Sequence, residues 1–102
     1  MYSSPNRYSP IIQNLCFERD SYTCALCTCR ASELHHIVPR SQGGHDTPHN
    51  LVSLCRIHHL VIHGERIAGE RMTRLEAQQA VVEYIQDYYA EEIARGTFWW
   101  AG

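Results

Sequence analysis

The residues able to bind a metal ion are concentrated in one part of this 102-residue chain. All seven histidines lie from His35 to His63, and four of the five cysteines from Cys24 to Cys55. Cys24 and Cys27 are two residues apart, a spacing that turns both sulfurs toward one tetrahedral ion. Cys55 and His58 repeat that spacing, so the two pairs make a Cys3His set suited to a structural zinc. Cys29 offers a tighter pair with Cys27, but two intervening residues is the commoner knuckle. A redox reading of the CxxC would want a thioredoxin-like context, which is absent. In a chain this short, a zinc staple would add directly to folding free energy.

The stretch between the two knuckles is longer than in a simple zinc finger, so something is built into it. It holds His35, His36 and Asn50, and the second knuckle runs on through His59 to His63. Residues 34–38 alternate, are β-branched at their end and read as a strand closed by Pro39; Leu51–Leu54 reads as a second strand that could pair antiparallel with it. Neighbouring strand residues point to opposite faces. His35 and His36 therefore either do different jobs or sit on a bent strand. Residues 56–63 read as a helix ended by Gly64. On it His59 and His63, at i and i+4, share a face and suit one ion, while His58 points toward the zinc knuckle. Ser41 to Pro48 is a loop. His45 and His49 read as surface or structural histidines, and Glu33 as either a strand-end charge or an acceptor that orients a ligand imidazole.

Other elements must position these groups. Ser9-Pro10 starts a helix over about two turns, with Cys16 on it as a buried apolar thiol. Residues 1–9 read as a loose arm, and residues 65–72 as a linker. Thr73 to Glu76 forms a capping box that opens a helix to about residue 94. Its apolar stripe is Ala77, Val81, Tyr84, Ile85 and Tyr88, which suits core packing. The aromatic end, Phe98 to Trp100, is expected to fold back on the domain.

With 44% hydrophobic and 20% charged residues, the chain has the composition of a globular protein, and no apolar run reaches membrane-spanning length. An odd cysteine count with a CxxC favours zinc in a reducing compartment over a disulfide framework. The expected location is the cytoplasm, of a bacterium or of a phage host. The net charge of −2 hides an asymmetry: residues 1–63 carry five Arg and four acids, residues 64–102 four Arg and seven acids. There is no Lys, and Arg presents a fork suited to phosphate oxygens. Weak, salt-dependent nucleic-acid binding with little sequence reading is the expectation.

Taken together, RDSYTCALC, ELHHIVPRSQGG, HNLVSLC and HHLVIH resemble, in order and spacing, the HNH endonuclease family from Arg19 to Gly64. The resemblance implies an α+β fold, a ββα-metal hairpin and helix braced by zinc knuckles, in a single domain over residues 1–102 (core about 19–64). It implies His36 as general base, and His35, His59 and His63 as ligands of one catalytic dication. Asn50 would hold the loop between the strands and so fix the base. Cys24, Cys27, Cys55 and His58 would hold structural zinc, with His58 standing where many zinc-braced members have Cys. Arg40, just past the first strand, is the candidate phosphate contact.

Three imidazoles suit Mn²⁺, Ni²⁺ or Zn²⁺ better than Mg²⁺. The expected activity is hydrolysis of DNA, one strand at a time, by a monomer. The alternative from another class is a zinc-braced DNA-binding or assembly module of the same fold without useful turnover, and a third is action mainly on RNA.

Overall fold

The computed structural model describes residues 9–98. The arm at residues 1–8 and the tryptophans Trp99 and Trp100 lie outside the described residues. Helix α1 (Pro10–Arg19) starts as expected, with Pro10 in the first turn and the Ser9 hydroxyl accepting from the Ile12 N–H at 3.1 Å. A knuckle loop carrying Cys24 and Cys27 then leads into β1 (Glu33–His36). A long loop with two short 3-10 turns connects β1 to β2 (Leu51–Leu54), and α2 (Arg56–Ile62) follows directly. After an irregular stretch come α3 (Arg74–Tyr88) and α4 (Ala90–Arg95).

β1 and β2 form a two-stranded antiparallel sheet with Glu33 opposite Leu54, His35 opposite Val52 and His36 opposite Leu51. All four residues of β2 are buried, because both of its faces are covered. Val52 and Leu54 enter the main core with Val61 and Ile62 of α2 and Ala77, Val81 and Ile85 of α3. Leu51 turns the other way and packs with Leu34 and Cys16, the buried thiol expected on α1. Directly opposed residues share a face. The register therefore puts Glu33 and His35 on the α2 side of the sheet and His36 on the other.

Two polar devices hold this arrangement. Asp20, 4% exposed, accepts from both Arg19 Nε (2.7 Å) and Arg19 Nη2 (2.8 Å), from the Ser53 N–H (3.0 Å) and from the Tyr84 hydroxyl (2.7 Å). Burial alone would raise the Asp20 carboxyl, but these donors hold it below the usual carboxylate range. Arg19 also donates to the Pro48 and Leu51 carbonyls at 2.5 and 2.6 Å, tying α1 to the entry of β2. The second device is the capping box of α3, complete with Thr73 Oγ1 accepting from the Glu76 N–H and Glu76 accepting from the Thr73 N–H.

The C-terminal helix differs from the single element expected to residue 94. It breaks at Tyr89, whose backbone leaves the helical region at ψ 29°, and α4 starts one residue later. The break sets Tyr89 against His49 and Phe98, with ring centroids 4.5 and 5.8 Å away. Phe98 thus folds back as expected, while Tyr88, expected in the apolar stripe, is exposed. His49 takes a structural place there, paired with Glu92 at 3.0 Å.

Candidate metal and catalytic site

The two knuckles meet at the head of α2. The donor atoms of Cys24, Cys27, Cys55 and His58 lie within 4.8 Å of one another. Cys27 Sγ is 3.8 Å from Cys55 Sγ, and Cys55 Sγ is 3.4 Å from His58 Nδ1. Tetrahedral bonds of roughly 2.3 Å to sulfur require S–S edges of roughly 3.8 Å, so this set fits a zinc ion. Backbone N–H groups of Leu26, Cys29 and His58 point at Cys24, Cys27 and Cys55 Sγ from 3.4–3.5 Å, a surround that suits thiolates. Cys29 stays exposed outside the cluster, which resolves the ambiguity between Cys27 partners in favour of Cys24. His58 turns Nδ1 inward, and its Nε2 lies 3.2 Å from Glu70 Oε1. Glu70 comes from the stretch read as a linker, and no spacing in the sequence pointed to it.

The second cluster follows from the sheet register. His35 projects toward α2, where His59 and His63 share a face, and the three offer nitrogens within 4.8 Å of one another. Their ring centroids are 4.9–5.4 Å apart. Glu33, one face-repeat before His35, lies 2.5 Å from His59 Nδ1. A carboxylate only accepts, so His59 carries its proton on Nδ1 and keeps the Nε2 lone pair for a ligand. Burial, with His59, His63 and His36 nearby, pushes His35 down to about 3, and burial also lowers His59 and His63. All three rings are therefore neutral near pH 7, the form that binds a metal. A divalent ion fits this donor set, with sides left open toward a cleft.

His36 lies on the opposite face of β1, across from Leu51. Its Nε2 is 2.6 Å from Asp46 Oδ1. Arg40 grips the same carboxylate with two bonds, Nε to Oδ1 at 2.9 Å and Nη2 to Oδ2 at 2.7 Å. These contacts hold Asp46 below the usual carboxylate range, with the Arg40 bonds first among the causes. Arg40 thus has a protein partner where a phosphate contact was expected. In the sequence Asp46 reads as plain loop, since nothing in its spacing ties it to His36.

Asn50 is fully buried and locks the loop between the strands. Its Oδ1 accepts from the Val38 N–H at 2.8 Å, and its Nδ2 donates to the Val38 and His45 carbonyls at 3.0 Å. Gly44 is packed against the same turn; a Cβ there would sit 1.7 Å from the Val38 carbonyl oxygen. The loop bearing Asp46 is thereby fixed beside the end of β1. His45 is exposed and contributes its carbonyl to this lock. His35, His36 and His63 open on a cleft of about 320 Å³ whose far wall is α3, with Arg74 and Gln78.

A two-stranded antiparallel hairpin followed by a helix, with a Cys/His cluster compatible with zinc at its head, is the zinc-braced ββα-metal fold. Residues 19–65 match the model of the HNH endonuclease family, so this segment is an HNH domain. No curated protein matches the chain. HNH nucleases act on DNA and use a divalent metal, so the segment is a nuclease-type domain. Among the described residues, no helix is long and apolar enough to cross a membrane.

Proposed function

We propose that this protein is a metal-dependent endonuclease that hydrolyses DNA phosphodiester bonds one strand at a time, leaving 5′-phosphate and 3′-hydroxyl ends. In this reading it works as a monomer in a bacterial or phage-host cytoplasm, with α3 and α4 part of the same domain. The observation that carries it is the meeting of the His35, His59 and His63 nitrogens beside His36, whose ring Asp46 holds.

His35, His59 and His63 would hold the dication and leave room for phosphate and water; Mn²⁺ or Ni²⁺ suits them better than Mg²⁺. A bound ion would supply Lewis-acid charge to the phosphate and to the departing oxygen. Cys24, Cys27, Cys55 and His58 would hold a structural zinc. The proton work belongs to the protein. Asp46 lies against His36 Nε2 and orients the ring, and His36 takes the proton of the attacking water. Arg40 keeps Asp46 charged and oriented. Asn50 acts through the backbone, holding the loop on which Asp46 rides.

Supercoiled plasmid incubated with Mn²⁺, Ni²⁺ or Mg²⁺, and with EDTA, tests the reading. Nicked circles should form before linear DNA, with the metals in that order of preference, and EDTA should stop the reaction. No nicking with any metal leaves the zinc-braced DNA-binding module in its place. Faster cleavage of RNA than of plasmid reassigns the substrate.

A further inference from the structure

The wall of the cleft that faces the histidines comes from α3, beyond the residues that match the family. Arg74, the first residue of α3, is exposed and contributes to this wall. Its stem lies over Gly64, which ends α2 in a left-handed conformation (φ 96°): a Cβ on Gly64 would meet Arg74 Cδ at 3.6 Å and Nη1 at 3.7 Å. The guanidinium thereby lies beside the residue that follows His63, and Arg74 and His63 line the same cleft.

Helix stability does not account for this placement. A cation in the first turn opposes the helix dipole, and the capping box already satisfies the N-terminus. Arg74 also belongs to the rim of a second depression, of about 470 Å³, together with Arg66 and Arg71. Both of those are exposed. Of the two acids there, Glu70 is engaged by His58 and by the Met72 N–H. The acidic excess of the C-terminal part begins after this point: residues 75–102 carry five acids and one Arg, whereas residues 65–74 carry three Arg and two Glu.

We propose that Arg74, Arg66 and Arg71 form a phosphate-binding track that continues from the histidine cleft over the start of α3. Arg74 holds the phosphate next to the cleaved bond and the other two hold the backbone of the same strand. This rests on the endonuclease reading for its substrate, a DNA strand. The planar fork of Arg suits the paired oxygens of a phosphodiester. It also explains how a chain of net charge −2 engages a polyanion: the basic groups lie on the cleft side and the acids follow on α3 and α4.

The test measures binding of a fluorescein-labelled DNA duplex by full-length His36→Ala protein across a salt series, and nicking by the otherwise wild-type protein with Mn²⁺. Arg74→Ala should lower kcat/KM by about 10–100-fold, the weight of one charge-assisted contact. Arg66→Ala with Arg71→Ala should raise KM and leave kcat unchanged. Each lost phosphate contact should flatten the salt slope by about 0.9. Arg74→Lys should restore the slope but only part of kcat/KM. Arg95→Ala, on α4 away from the track, should leave the slope and the rate unchanged.

Zinc content and thermal midpoint confirm that each variant is folded. Folded Arg74→Ala protein with wild-type slope and kcat/KM overturns the track, as does an equal effect of Arg95→Ala. If the wild type nicks nothing while the arginine variants still flatten the salt slope, the track stands and the nuclease reading falls.

Discussion

The two candidate metal sites share one short helix, yet they are built on different plans. At the head of α2, three sulfurs and one imidazole close on a common point, with Cys24, Cys55 and His58 buried and backbone N–H groups turned toward the sulfurs. Further along α2, His59 is buried and His63 exposed, and together with His35 they give three nitrogens and an open side. A closed four-donor set leaves no position for a substrate; an open three-donor set does. The same helix serves both because His58 and His59 are adjacent and point about 100° apart. The contrast separates what holds the protein together from what lets it act.

Breaking the closed site should have the largest effect. A structural zinc in a small domain contributes roughly 10–16 kcal/mol, which exceeds the roughly 5–15 kcal/mol by which whole proteins are stable. Cys55→Ser should therefore abolish the cooperative thermal transition followed by circular dichroism, whereas His63→Ala should keep it. Equal loss in both variants would end the division into bracing and working sites.

Next comes the base. His36→Ala should reduce plasmid nicking by about 10²–10⁴-fold with zinc content intact. Asp46→Asn should cost less, about tenfold, because it disturbs the ring's orientation and leaves the ring in place. An Asp46→Asn protein as inactive as His36→Ala would mean that the carboxylate takes part directly.

Each site has a carboxylate on the far nitrogen of one histidine: Glu70 on His58 and Glu33 on His59. Such partners typically tune metal affinity by about 10–100-fold. Glu70→Gln should speed zinc release to a chromogenic chelator without changing the Mn²⁺ requirement for nicking; Glu33→Gln should do the reverse. Crossed effects would show that the two sites are not independent.

The smallest effect concerns pH. His35 is held at about 3 in the fold, against an ordinary value near 6.5. The unfolded chain thus binds an extra proton below about pH 6.5, so the contribution of His35 to stability is full above that value and declines as pH falls toward 3. With the zinc knuckles loaded and no metal on the histidine cluster, wild type should lose a few degrees more in Tm than His35→Gln between pH 7 and 5. Parallel losses would place the acid sensitivity elsewhere, for instance at His59 or His63, which burial also lowers.

Much of this was legible in one dimension. The CxxC and CxxH pairs, the i, i+4 histidines, the β2 boundaries and the α3 capping box are local patterns, and local geometry decides them. Strand alternation left two readings for His35 and His36, different jobs or a bent strand, and the register sets them on opposite faces: His35 faces α2, and His36 meets Asp46. The partners that depend on loops were not legible. Asp46 reaches His36 across a ten-residue loop folded around Asn50 and Gly44, and Glu70 reaches His58 from an irregular segment. Arg40 also found Asp46 by that route, and the break at Tyr89 answers to His49, forty residues away.

Residue types and short spacings determined which atoms could bind metal and which helix and strand would carry them. The packing of the long loop and of α3 decided which carboxylate holds which imidazole and which arginine lines the cleft. The reason is physical: a helix or strand repeats its geometry every few residues, whereas a loop takes its shape from whatever buried polar groups, here Asn50 and the Val38 peptide, must be satisfied together.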